Sequence, residues 1–308
     1  MITKLKQIQY QNITWIHCTK PTESDLEYLQ TKFDFHPLDI ADVKNVSLRP
    51  KLDEYPKYLF MVLLFPFYDR QEREIKASEI DLFLGDNYMI TISDGNMKEL
   101  DTFFNQCSTN EVIRKLYLAD NTVALLHEIL HRLQTYTFPM LDHITLDIEN
   151  IERQIFAGQE RRMVREILVI KRNIVAFRRI MHSHKSIIGK LMRVQNEFFN
   201  PEGMRVYLKN ALERSQDIWD ILDTHNETIG AFDETNNAMI SFQLNEIMKI
   251  LTTISVILIP ANLVASIFGM NATHTPIVQQ QYGFWIILSI ILGLILTLLV
   301  FFRKKHWL

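Results

Sequence analysis

The chain has 308 residues, enough for about two domains of ordinary size. Its 33 basic and 36 acidic side chains leave a net charge of −3, which argues against a nucleic-acid-binding protein, and a hydrophobic content of 47% excludes a disordered chain. Two cysteines, Cys18 and Cys107, build neither a disulfide framework nor a thiolate metal site.

The N-terminal stretch MITKLKQIQYQNITWIH lacks the apolar core of a secretory signal, so no cleaved leader is expected there. Residues 1–120 read as a mixed α/β domain. Thr22–Phe33 and Met97–Cys107 have the pattern of short helices. Tyr58–Phe67, Glu79–Leu84 and Tyr88–Ser93 are short apolar runs rich in β-formers, and Gly85-Asp86-Asn87 suits a hairpin turn between the last two. The glycines are scattered, with no phosphate-cradling loop.

From Asn121 the period changes. Residues 121–199 predict an antiparallel helical hairpin, Asn121–Phe156 and Glu160–Phe199, turning at Ala157-Gly158. A third helix is predicted from Asn200-Pro201-Glu202, where Asn suits the cap, Pro the first helical position and Glu the first turn. With no further proline until Pro260, it is expected to run over 200–268. That is about 100 Å of helix, with a gentle kink at Pro260.

Two uncharged stretches follow, Ile250–Phe268 and Phe284–Phe302, each of 19 residues. Each makes about 28 Å of helix, which matches the hydrocarbon core of a bilayer. The loop 269–283 holds no Lys, Arg, Asp or Glu, whereas the tail 303–308 opens with Arg303, Lys304 and Lys305. The positive-inside rule puts this tail in the cytoplasm, the loop outside, and the N-terminal region back in the cytoplasm. Tyr282, Trp285 and Trp307 fall where interfacial aromatics are expected.

Alternating steps of three and four pick out a polar stripe on the long helix: Asn210, Glu213, Asp217, Asp220, Thr224, Glu227, Ala231, Glu234, Ala238, Ser241, Asn245, Met248, Thr252, Ser255, Ile259, Asn262 and Ser266. It carries no base. The opposite face holds Leu208, Leu212, Trp219, Leu222, Ile229, Phe232, Ile240, Leu244 and Ile247. Between Asn210 and Asn245 there are seven acids and one base, whereas Arg153–Arg193 holds eleven bases and two acids. Charge complementarity between these two helices is the simplest expectation. Parallel copies of the acidic stripe, with Asp220, Glu227 and Glu234 lining a vestibule, would favour cations. Two spans cannot enclose a path, so conduction needs an oligomer.

Ile267-Phe268-Gly269-Met270-Asn271 at the outer end of the penultimate span resembles the Gly-Met-Asn signature of the CorA family of magnesium and divalent-cation transporters. Asn245–Asn271 is similar to that family's first membrane segment throughout, Pro260 included. His36-Pro37-Leu38, Asp42-Val43, Arg49-Pro50-Lys51 and Glu54-Tyr55 resemble its cytoplasmic-domain motif. The resemblance spans nearly the whole chain. It implies an α+β subunit with a cytoplasmic α/β domain, a long helical stalk and two C-terminal membrane helices, assembled as a homopentameric funnel in the cell membrane with both termini cytoplasmic. Its cargo would be Mg²⁺, with Co²⁺ or Ni²⁺ as further candidates, and no organic cofactor or nucleic acid is implied. Gly269, Met270 and Asn271 would capture the hydrated ion, while Met248 and Leu251 would form an apolar constriction. Asn245, Ile259 and Asn262 would also face the pore, alongside Thr252, Ser255 and Ser266 of the stripe. A neutral ring of amide and carbonyl oxygens can hold Mg²⁺ through its water shell and still release it. Two charges crossing 100 mV gain about 4.6 kcal/mol, so entry needs no ATP.

Two departures from the family pattern stand out. Pro276 is followed by Ile277, and the outer loop carries no acid to concentrate cations. The regulatory carboxylate that the family has early on its long helix is matched by Asn210, with Glu213 one turn later. Cytosolic Mg²⁺ sensing would then use other ligands, such as Glu213 or Asp217.

Three competing readings remain. His127-Glu128-Ile129-Leu130-His131 matches the H-E-x-x-H of zinc proteases, with Glu149 as an unsupported third ligand. A membrane-anchored scaffold would leave the polar first span unexplained. A ZntB-like Zn²⁺ transporter, some of which are proton-coupled, is the alternative within the family, and His274 is the one histidine of the outer loop. His182 and His184, two apart, do not share a helical face and read as surface residues.

Overall fold

The computed structural model describes residues 4–46, 48–119, 121–196, 198–199, 205–270, 277–278, 280–305 and 307. The chain forms two compact units, Met1–Asp233 and Glu234–Leu308.

The first unit is built on a six-stranded sheet of β1 (Lys6–Tyr10), β2 (Ile13–Thr19), β3 (Lys51–Glu54), β4 (Tyr58–Asp69), β5 (Glu74–Gly85) and β6 (Tyr88–Ser93), in the order β1-β2-β6-β5-β4-β3. Every pair is antiparallel except β2–β6. The chain crosses over between those two strands through α1 (Glu23–Phe33), α2 (Pro37–Asn45) and the β3–β5 meander. The predicted turn at Gly85-Asp86-Asn87 links β5 to β6.

Alternation along β4 separates two cores. Leu59, Met61, Leu63 and Phe65 join the cluster under α3 (Lys98–Thr109) and α5 (Thr122–Phe156), while Tyr58, Phe60 and Val62 join the cluster under α1 and α2. Both faces of the central strands are therefore covered, which explains why β4 reads as one continuous apolar run. The edges β1 and β3 were not legible as strands. KQIQY and KLDE are short and mostly polar, as edge strands tend to be.

Thr22 caps α1 in a reciprocal box with Asp25. His36 caps α2, with Pro37 at its first position. Asn110 caps α4 (Glu111–Leu118), and Asn121 caps α5. Pro139 sits inside α5 without ending it. The predicted hairpin is present: α5 turns into α6 (Glu160–Met181) at Gly158, whose φ of +81° favours glycine.

The helix expected over Glu160–Phe199 is two helices. α6 ends at Met181, and α7 (His184–Leu191) follows a turn at His182-Ser183. The break delivers His184 to the sheet, where Nε2 donates to the Leu64 carbonyl at 2.6 Å and the ring stands edge-on to Phe65. His184 is fully buried, which corrects its reading as a surface residue, whereas His182 is exposed as expected. Burial holds the His184 imidazole down to about pKa 4.

α8 runs over Arg205–Phe268 with Pro260 inside it, and α9 over Gly283–Lys304. The start predicted at 200–202 lies outside the described residues. α8 and α9 are the two helices long and apolar enough to cross a membrane among the described residues.

Candidate ion path and outer mouth

The residues expected to line a path lie on α8, so the side that α8 buries decides which side remains free. In the first unit the buried ridge is Leu208, Ala211, Ser215, Ile218, Leu222, His225 and Ile229, a strict alternation of three and four. Two polar members of that ridge are matched by α5. Gln134 Nε2 donates to the Ala211 carbonyl at 2.9 Å and to Ser215 Oγ at 2.8 Å, and His225 Nε2 lies 2.9 Å from Thr145 Oγ1. Gln134 was not singled out from sequence. Its signal was available, because it occupies the buried phase of α5 together with Leu130, Thr137 and Leu141.

The expected charge complementarity is present. Arg178 on α6 pairs with Asp223 at 2.7 Å and stacks over Trp219, and Lys171 pairs with Asp233 at 3.2 Å. Other charges of α6 meet the β4–β5 hairpin instead: Arg172 pairs with Glu74, and Glu166 with Arg73.

The predicted stripe stands two residues beyond this ridge, about 200° around the helix. Asn210, Glu213, Asp217, Asp220 and Glu227 are all exposed. Glu213 has Lys209 within 3.5 Å one turn before it. The Asn210 side chain stands beside the His127 imidazole. Of the three residues expected as regulatory metal ligands, the two nearest the start of α8 thus contact a base or an imidazole.

In the second unit Glu234, Asn245, Met248, Leu251, Thr252, Ile259, Asn262 and Ser266 are exposed, and Ser255 is half-buried with its Oγ donating to the Leu251 carbonyl. The buried positions here are Asn236, Thr253, Ile257 and Ala261. From Thr253 onward the ridge advances by four. The stripe keeps its mean step of 3.5, so it slips relative to the ridge, as a heptad repeat does on a helix of 3.6 residues per turn. Ser255 and Ile259 remain on the far side from Ile257, whereas Thr252 and Asn262 come to stand next to Thr253 and Ala261. The opposite face departs from expectation at its end. Leu208, Leu222 and Ile229 are buried, but Leu244 and Ile247 are half exposed.

At the outer end, Gly269 donates to the Ala265 carbonyl at 2.9 Å and Met270 to that of Ile267 at 3.3 Å, a last helical turn beyond Phe268. A Cβ on Gly269 would stand 3.1 Å from the Ala265 oxygen, which favours glycine there. Met270 is 61% exposed. Asn271, His274 and Pro276 lie outside the described residues.

The H-E-x-x-H segment is placed on α5. His127 and His131 share a face with ring centroids 5.9 Å apart, but Glu128 is turned to Arg132, whose Nε lies 2.6 Å from its Oε1. A carboxylate fixed in an ion pair is not poised to activate water. Among the described residues no three His, Cys, Asp or Glu side chains come together as metal ligands.

Against known proteins, a family model described as "CorA-like Mg2+ transporter protein" matches residues 10–304. The cobalt/magnesium transport protein CorA of Thermotoga maritima is 26% identical over 297 residues, covering 96% of this chain and 82% of that protein. The solved CorA magnesium transporter from Methanocaldococcus jannaschii superposes with a TM-score of 0.86 at 19% identity, covering 99% of this chain and 95% of that one. The cytoplasmic domain of ZntB from Vibrio parahaemolyticus superposes with a TM-score of 0.60 at 11% identity, covering 75% of this chain and 89% of that one.

Proposed function

The chain belongs to the CorA-like family of Mg²⁺ transporters, and on that premise we propose that it is a membrane-potential-driven Mg²⁺ influx channel, with Co²⁺ or Ni²⁺ as further cargo, working as a homopentamer in the cell membrane. Divalent cation transport is the family's activity. The choice of ion, the assembly and the residue roles are our reading.

One observation carries it. The stripe that runs from Asn210 to Ser266 carries no base and is exposed except at the half-buried Ser255; it is acidic before Asn245 and uncharged beyond it, on a helix whose second half is apolar enough to span a bilayer. An exposed polar row on a membrane helix is costly against lipid and is accommodated against water or neighbouring helices. Copies of α8 around an axis give it that environment. Asn271, with Gly269 and Met270, captures the hydrated ion. Asn262, Ile259, Ser255 and Thr252 line its passage, Met248 and Leu251 constrict it, and Asn245 receives it. Asp220, Glu227 and Glu234 keep the cytoplasmic exit attractive to cations and repellent to anions. Termini on the cytoplasmic side follow from Arg303, Lys304 and Lys305 after the last span.

The likeness to the ZntB domain is one of fold alone and does not favour Zn²⁺ as cargo.

The test is Mg²⁺ entry into liposomes carrying the purified protein, across an inside-positive to inside-negative voltage series, with Zn²⁺ run in parallel. Mg²⁺ entry that rises as the inside becomes negative is the expected result. Zn²⁺ movement that needs a proton gradient, without Mg²⁺ entry, would replace the reading with the zinc alternative. Asn271→Ala should abolish entry while the protein still assembles, and wild-type transport by that variant would remove the outer loop from the mechanism.

A further inference from the structure

We propose that the cavity between the β4–β5 hairpin, α5 and α6 binds a small organic carboxylate with an apolar or aromatic body. The cavity has a volume of 540 Å³, within the ordinary range of small-molecule sites. All of its walls belong to the first unit. It lies on the far side of α5 from Gln134, whose side chain faces α8, so it is separate from the α5–α8 seam.

The walls divide by chemistry. Ile75, Ile144 and Ile170, one from each of the hairpin, α5 and α6, are buried and give an apolar floor. The rings of Tyr68 and Tyr136 are partly exposed and line it as well. An apolar gap between elements ordinarily closes by packing. Here fixed bonds hold the hairpin in place against α6. The buried Asn173 of α6 accepts from the Ile75 backbone N–H at 3.1 Å and donates to the Arg73 carbonyl at 3.0 Å. Arg73 pairs with Glu166 at 2.6 Å, and Arg172 with Glu74.

The charged groups set the ligand class. The lining carries Arg70, Arg73 and His143 against one acid, Asp147. Glu166 takes two N–H groups of the Arg73 guanidinium, which leaves three of its five. Arg70 forms no ion pair or hydrogen bond among the described residues. Burial raises the Asp147 carboxyl, and Arg73 and then His143 oppose it, so these bases stand close to one another across the wall. Free guanidinium N–H groups match a carboxylate in charge and planar shape. An inorganic anion would leave the isoleucine floor and the phenol rings without a contact. A neutral apolar molecule would leave the arginines without one. A carboxylate on an apolar body meets both. The site does not rest on the transport reading.

The experiment is fluorine NMR of 4-(trifluoromethyl)benzoate with the full-length protein in lipid nanodiscs. Empty nanodiscs are the blank, and 4-(trifluoromethyl)benzyl alcohol is the uncharged counterpart. The benzoate should bind saturably and about tenfold more tightly than the alcohol. Arg70→Gln should weaken benzoate binding about fivefold. Asp147→Asn, which removes the one repelling charge of the lining, should tighten it severalfold. Val169→Trp, on a half-buried residue of the wall, should fill the cavity and remove binding. Arg70 and Asp147 are exposed, so their variants keep the test decisive should the tryptophan variant not fold. Benzoate signals no different from those with empty nanodiscs, an alcohol that binds as tightly as the benzoate, an affinity unmoved in Arg70→Gln, or one weakened in Asp147→Asn would each overturn the site.

Discussion

Gln134 of α5 and Ser215 of α8 are joined by a hydrogen bond of 2.8 Å between two buried side chains, with a second bond from the same amide nitrogen to the Ala211 carbonyl. This polar pair sits inside an apolar ridge, so it fixes the register of α8 against α5 as well as contributing stability. Apolar contacts alone tolerate sliding, whereas a buried donor with two acceptors does not.

Gln134→Ala should therefore lower stability by about 2–3 kcal/mol, from the lost bonds plus the cavity left behind. Ser215→Ala should cost only about 1 kcal/mol, because Gln134 keeps its bond to Ala211. Chemical-denaturation midpoints of the two variants should rank in that order. Equal midpoints would mean that the amide does not lock the helices.

His184 predicts a pH dependence. Its imidazole is held at about pKa 4 in the folded protein against 6.5 in an unfolded chain. The unfolded state therefore takes up a proton first as the pH falls. Stability is complete above about pH 6.5 and declines between there and pH 4, by up to about 3 kcal/mol. Thermal midpoints of wild type and His184→Gln, compared at pH 7 and pH 5, test this: the variant should lose most of the difference.

Glu128 is a partner of Arg132, which also stacks 4.3 Å over the Phe103 ring. Glu128→Gln should leave ion transport unchanged and cost at most about 1 kcal/mol of stability. A change in transport exceeding the change in folded protein would reopen a functional role for the H-E-x-x-H segment.

Met248 tests the constriction. It is 57% exposed and stands next on the stripe after Asn245. If apolar side chains gate the path by excluding water, Met248→Ser should raise voltage-driven Mg²⁺ entry severalfold. Entry reduced or unchanged would place the barrier elsewhere along α8.

The sequence by itself determined whatever depends on local pattern. Two uncharged runs of 19 residues imply spanning helices whatever surrounds them. The helix starts at Thr22 and Asn121 follow from bonds within a few residues, and the base-free stripe follows from helical geometry alone. The Gly-Met-Asn motif and its position carried the family. Tertiary structure decided what depends on contacts between distant residues. His184 reads as a surface residue two positions from His182, yet it is buried because a break in the helix carries it to the Leu64 carbonyl, 120 residues away in sequence. The edge strands β1 and β3 exist through their pairing with β2 and β4, with too little apolar pattern of their own to announce them. Asp81 lies within the run Glu79–Leu84, and only the folding of α1 and α2 over β5 and β6 buries it, because burial is a property of the assembled sheet and helices.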